Sequence, residues 1–259
     1  MHYDRIKDKF ASLIDRFPAC RKLFYLGLDM LLLRQWYVKK AIKKHFSKGS
    51  PIRFYDAGAG FGQYSFFVWK HFPKARVLAV DLKTDYMDSF ARYAKSVGWP
   101  DFTAQKADLV DFMPDAEFDL IIAVDILEHI AEDEKVLHNF RKILADQGKL
   151  IISSPSTFDD SAQFVAEHVR PGYGREEIIA KLQNAGFRIV SFDYSYGKFG
   201  HLAWLLTLKL PLSLLGKSTL FFLFLPVYYL LFYPVSALFM WLDLLLENKR
   251  GTGLIVVAE

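Results

Sequence analysis

Apolar and polar positions change rhythm twice along the chain. Over the first 50 residues apolar side chains recur at helical spacing in FASLIDRF and LFYLGLDMLLLRQWYVKKAIKKHF, which predicts helices with a break near Pro18. From Pro51 the rhythm becomes short β-rich runs alternating with helical stretches. Strands are expected at 52–57, 76–81, 102–108, 118–125 and 149–154, with helices at 62–72, 85–97 and 132–145. The runs IIAV and LIIS are continuously apolar, as strands covered on both faces are, so the pattern predicts a parallel sheet in a doubly wound α/β fold. A helix at 174–185, a strand at 187–195 and a last strand at 252–258 complete it. Between those two strands the rhythm changes again, and the 25 residues separating Lys217 from Asp243 include no Asp, Glu, Lys, Arg or His. Three regions follow: a helical cap over 1–50, an α/β domain over 51–198 with 249–259, and an apolar helical insert over 199–248.

Composition adds exclusions, and position adds more. With 52% hydrophobic residues and a net charge of +4 the chain has ample surface to bury, which excludes disorder. One cysteine, Cys20, makes neither an internal disulfide nor a zinc ribbon and points to a reducing compartment. Charge is segregated: residues 1–53 hold 13 Lys or Arg against four Asp, a local +9 that leaves −5 for the rest. No secretory leader is expected, because Asp29 interrupts the apolar run from Leu23 to Leu33 and no small-residue cleavage site follows.

The candidate chemistry lies at the strand ends. Strand one runs into YDAGAGFGQYS, which places Asp56, Gly58, Gly60 and Gly62 at a strand-to-helix turn. Glycine there lets a ligand approach the backbone and the free N–H groups of a helix start. Such a turn alone fits a dinucleotide loop, a nucleotide loop or merely a tight turn. Acids follow at later strand ends: Asp81 about 20 residues on, where a carboxylate can accept both ribose hydroxyls, then Asp108, with Asp111 as a near alternative, and Asp125. Ligands of doubly wound sheets bind along that edge.

Taken together, DAGAGFG, AVDL, KADL, FDLIIAVDILEHI and LADQGKLIISSP resemble the class I S-adenosylmethionine (SAM)-dependent methyltransferases, in particular a small-molecule branch that includes quinone-biosynthesis enzymes. The resemblance covers residues 50–198 and the last strand. It implies a Rossmann-like seven-stranded sheet, six strands parallel and the last antiparallel. It also implies that Asp56 and the Gly58, Gly60 and Gly62 turn hold the amino-acid end of SAM, that Asp81 binds the ribose, that Leu82 packs on adenine, and that Asp108 with Leu109 meets the adenine edge. A dinucleotide oxidoreductase is the alternative for the loop, weakened because Gln63 stands where GxGxxG has its third glycine. The turn after strand four reads VDILEHI rather than a DPPY-like motif, which speaks against base methylation and a nucleic-acid partner. It resembles the turn of phosphobase methyltransferases, which implies His129 as general base, oriented by Asp125. His168, Arg170 and Tyr173 are expected at the rim, binding the acceptor. No metal site is expected.

The insert is long and aromatic enough to enter a membrane. In the resembled fold the strands on either side of it are antiparallel neighbours, so both its ends return to one side of any bilayer. That excludes a single span and leaves two spans, a re-entrant hairpin or in-plane helices. Lys209 and Pro211 split its first half, and Pro226 and Pro234 interrupt its second, which favours a monotopic hairpin. The expectation is a methyltransferase at the cytoplasmic face of a membrane, held by anionic lipids at its basic N-terminal region and acting on a lipid, isoprenoid or quinone. A soluble cap or dimer interface, or a membrane-anchored protein of this fold without catalysis, are the alternatives.

Overall fold

The computed structural model describes residues 18–158 and 169–259. Among the described residues helix α1 spans Pro18–Leu31. Helix α2 (Leu33–His45) follows after Leu32, whose extended backbone breaks what the periodicity presented as one continuous helix. The indole N–H of Trp36 donates to the Asp29 carbonyl at 2.7 Å and ties the two helices across that break.

The α/β region runs β1 (Arg53–Ala57), α3 (Gln63–His71), β2 (Arg76–Asp81), α4 (Thr84–Ser96), β3 (Phe102–Lys106), β4 (Phe118–Val124), α5 (Asp133–Ile143), β5 (Leu144–Pro155), α6 (Arg175–Asn184) and β6 (Ile189–Ser195), and it closes with β7 (Gly253–Ala258). The sheet order is 3-2-1-4-5-7-6, with β7 antiparallel to both β5 and β6 and the other pairs parallel. This is the expected seven-stranded, doubly wound arrangement. One face is covered by α2, α3 and α4 through Val38, Ile42, Phe67, Val68 and Phe90, the other by α5 and α6 through Val136, Phe140, Ile178 and Leu182. Burial on both faces is why β4 and β5 read as unbroken apolar runs.

Between β6 and β7 the chain forms a helical hairpin. Its first arm is α7 (Lys198–Trp204), a π-helical stretch (Leu205–Lys209) and α8 (Leu210–Lys217). A 3-10 turn (Thr219–Phe224) leads to the second arm, α9 (Leu225–Leu245). The prolines do not interrupt these arms as expected. Pro226 lies in the first turn of α9, where an N–H is dispensable, Pro211 follows the π-helical stretch within the first arm, and Pro234 is carried inside a continuous α9. The carbonyls released in the first arm find partners across the hairpin. Pro211 has no N–H for the Thr207 carbonyl, which accepts from the Tyr229 hydroxyl at 2.8 Å. The Leu210 N–H bonds back to Leu205, and the Leu206 carbonyl accepts from Tyr228 at 2.7 Å.

Residues 198–217 and 220–245 are each long and apolar enough, by length and composition, to cross a membrane. A soluble core helix with that composition would be mostly buried, yet only 6% of the most apolar window of 220–245 is. Its base is anchored instead. Asp243 is fully buried, accepts from the Gly200 N–H at 2.8 Å and from the Tyr37 hydroxyl at 3.0 Å, and so joins α9, α7 and α2. Because β6 runs parallel to the main strands and pairs Ser195 with Gly253 of β7, both hairpin ends leave the carboxyl edge of the sheet.

Candidate active site

That edge is where the candidate residues converge. After β1 the chain turns through Gly58, Gly60 and Gly62 at φ of 78°, 53° and 77°, the left-handed region that other residues avoid. A Cβ at Gly62 would run into the Phe90 ring, whereas one at Gly60 would meet nothing within 4 Å: the space in front of the loop is open. The Gly60 N–H donates to Asp81 Oδ2 at 2.8 Å, and Asp81 Oδ1 accepts from the Lys83 N–H at 2.9 Å. The glycine turn and the acid ending β2 are therefore one unit. Leu82 beside it is 58% exposed, an apolar surface at the mouth of the loop.

Asp56 is 2% exposed and accepts from the Ser65 hydroxyl at 2.6 Å and from the Ser65 N–H at 3.1 Å, so it locks α3 onto β1. Burial pushes its pKa up to about 7, the Ser65 hydrogen bonds opposing the rise. A folded-state pKa above the unfolded one gives a contribution to stability that is complete below about pH 4 and lost as pH rises through about 7. Asp56→Asn is expected to flatten that part of the pH profile, where each unit is worth up to about 1.4 kcal/mol; thermal unfolding between pH 4.5 and 8 measures it.

Asp108 is exposed and accepts from the Val110 N–H at 2.9 Å, while Asp111 pairs with Lys135 at 2.9 Å. Leu109 corrects the reading: its side chain is buried in the core with Tyr55, Ala57 and Val80, because the apolar position after the strand turns inward, and it presents no side chain to an adenine edge.

Arg170 and Tyr173 also differ from expectation. Arg170 Nη1 donates to the Leu127 carbonyl at 3.0 Å, the Ile130 carbonyl at 2.9 Å and Asp133 Oδ2 at 2.7 Å. Tyr173 is fully buried with its hydroxyl on the same Asp133 oxygen at 2.7 Å. Both are occupied in tying the turn after β4 to the segment entering α6, and neither is an open acceptor-binding group. His168 lies outside the described residues.

The turn after β4 carries Asp125 at φ 49° and a 3-10 turn over Leu127–His129, with His129 half-buried. Asp125 is ion-paired with Arg34 of α2, a partner that local spacing did not reveal. The backbone N–H of Arg34 also donates to the hydroxyl of Tyr196, which stands at φ 55° after β6. For a bulky residue that conformation is unusual and marks this corner as held by its surroundings.

Glu128 was not anticipated. It is 1% exposed, accepts from the Ser154 hydroxyl at 3.1 Å, and leaves Oε1 buried without a hydrogen-bond partner among the described residues. Burial raises its pKa, with the charges of His129 and Arg34 opposing the rise. The only available signal was a charged residue between two apolar positions of LEHI, which is indistinguishable from a solvated helix start.

A left-handed glycine turn bonded to the acid ending β2, with further acids at the ends of β3 and β4 in a 3-2-1-4-5-7-6 sheet, is the arrangement of the class I SAM-dependent methyltransferase fold. Residues 55–150 match the family described as a methyltransferase domain. A curated relative, trans-aconitate 2-methyltransferase of Azoarcus sp. (strain BH72), is 28% identical over 105 residues, and the match spans 40% of each chain. Among solved structures, phosphoethanolamine N-methyltransferase 2 of Haemonchus contortus in complex with SAM aligns with a TM-score of 0.61 at 17% identity, covering 86% of this chain and 52% of that one. The cyclase SpnF aligns at 0.59 with 15% identity, covering 86% and 79%. These likenesses show the fold, which hosts more than one reaction. The open cradle before Gly60, the Asp81 carboxylate and exposed Leu82 fit the charged, diol and aromatic parts of SAM.

Proposed function

We propose that the protein transfers a methyl group from SAM to a lipophilic acceptor (a lipid, isoprenoid or quinone) drawn from a membrane surface. One observation carries the acceptor class: an exposed apolar hairpin is rooted at the same sheet edge as the glycine loop. SAM supplies an electrophilic sulfonium methyl, so the protein's part is alignment and, for a hydroxyl or ammonium acceptor, proton removal. In this reading Asp56 and the backbone of the glycine turn hold the methionine end, Asp81 the ribose hydroxyls, and Leu82 with Asp108 the adenine. His129, on the turn facing that cradle, takes the acceptor proton. Glu128 beside it holds the histidine's charge and offers an unsatisfied oxygen to a polar group at the site. Arg34 and Asp125 clamp α2 over the edge, so the cap and the hairpin base together frame the entrance.

The test is incubation with methyl-labelled SAM and a membrane lipid extract, followed by mass spectrometry. Label in an organic-soluble product is the expected outcome. Label transferred to trans-aconitate or another small soluble acid, with none entering the lipid fraction, overturns the acceptor class.

A further inference from the structure

The four lysines of α2 lie on one side of the helix. Lys40, Lys43 and Lys44 are exposed, and together with Lys39 and Trp36 they line a cleft of about 570 Å³ whose other wall is Leu244, in the last turn of α9. Asp29 is the one acid lining it, and it is ion-paired with Lys39, which leaves three lysine charges without a carboxylate partner among the described residues. Lys40 Nζ donates to the Leu244 carbonyl at 2.6 Å, at the negative end of the α9 dipole, so the lysine row is held at the root of the hairpin. Beyond Leu244 the apolar wall continues through Trp241 and Leu245, both more than half exposed.

We propose that this cleft binds an anionic phospholipid, its phosphate on Lys40, Lys43 and Lys44 and its acyl chain along Leu244 and Trp241. A purely ionic partner such as nucleic acid has no use for the apolar wall, and a neutral lipid has none for the lysines; an anionic phospholipid matches both. Trp36, its indole N–H bound to Asp29 and its ring half-exposed, is placed as an interfacial anchor. The proposal rests on the hairpin being membrane-embedded. It adds depth to that reading: the headgroup plane crosses the molecule at the carboxyl end of α9, which puts the whole arm in the bilayer and the active-site edge at headgroup level.

The experiment is co-sedimentation of the full chain with vesicles of phosphatidylcholine alone and of phosphatidylcholine with 30 mol% phosphatidylglycerol. Wild type is expected to bind both and to favour the anionic vesicles. The triple variant Lys40→Gln, Lys43→Gln, Lys44→Gln is expected to lose on the order of a hundredfold of that preference, at about fivefold per cation. Its binding to neutral vesicles and its thermal unfolding stay unchanged, and the corresponding triple arginine variant keeps the preference. An undiminished preference in the glutamine variant overturns the cleft, as does release of wild type from anionic vesicles by duplex DNA competitor. Wild-type binding to neutral vesicles with no gain from phosphatidylglycerol overturns the cleft while the hairpin reading stands. Failure to bind either vesicle overturns both.

Discussion

Asp81→Ala is expected to weaken SAM binding by two to three orders of magnitude in titration calorimetry, with the fold retained. Two losses combine. The carboxylate that would accept the ribose hydroxyls disappears, and hydrogen bonds to a charged acceptor are worth about 1.5–3 kcal/mol each. The Gly60 N–H also loses the oxygen that holds it at 2.8 Å, so the turn proposed to meet the methionine end is no longer tethered to β2. Asp81→Asn keeps an acceptor for Gly60 and is expected to lose less. Folding should survive because Asp81 ends a strand at a half-exposed position, outside the core. Unchanged affinity in Asp81→Ala, with wild-type unfolding behaviour, would remove the ribose assignment.

The second large effect concerns the hairpin tip. Leu220, Phe222, Leu223 and Phe224 are 68%, 68%, 72% and 63% exposed, a contiguous apolar patch of the kind soluble monomers rarely display. Burying such a side chain is worth about 1.5–3 kcal/mol, so replacing Phe222 and Leu223 by serine removes on the order of 4 kcal/mol of membrane partitioning, about a thousandfold. Flotation with neutral vesicles measures it. SAM affinity is expected to remain that of wild type, because the hairpin is fastened at its base by Asp243, Tyr37 and Gly200 rather than at its tip. Equal flotation of variant and wild type would show that the tip does not enter lipid, leaving a protein partner as the cover of this patch.

Much of the fold was legible because its signals are local. Strands β1, β2 and β4 lie within a residue or two of their expected bounds, since apolar runs ending in glycine or acid mark a buried parallel strand whatever surrounds it. The hairpin's return to its starting edge was legible too, from strand direction alone. The breaks were less so. Leu32 interrupts a perfectly periodic helix because α1 and α2 pack on different neighbours, and Pro234 fails to interrupt one because a proline inside a long apolar arm is tolerated where its neighbours keep the helix in register.

Side-chain partners divide along the same line. By itself the amino-acid order determined the sheet, the glycine turn, the place of Asp81 and the existence of one apolar insert, all properties of contiguous residues. Only the tertiary structure decided that Arg170 is bound to Asp133 and cannot serve an acceptor, that Asp125 answers Arg34, that Leu109 faces the core, and that Glu128 is buried with a free oxygen. The two ion pairs among them join residues 37 and 91 positions apart. A long-range contact is chosen by how whole layers pack, and no spacing along the chain encodes it.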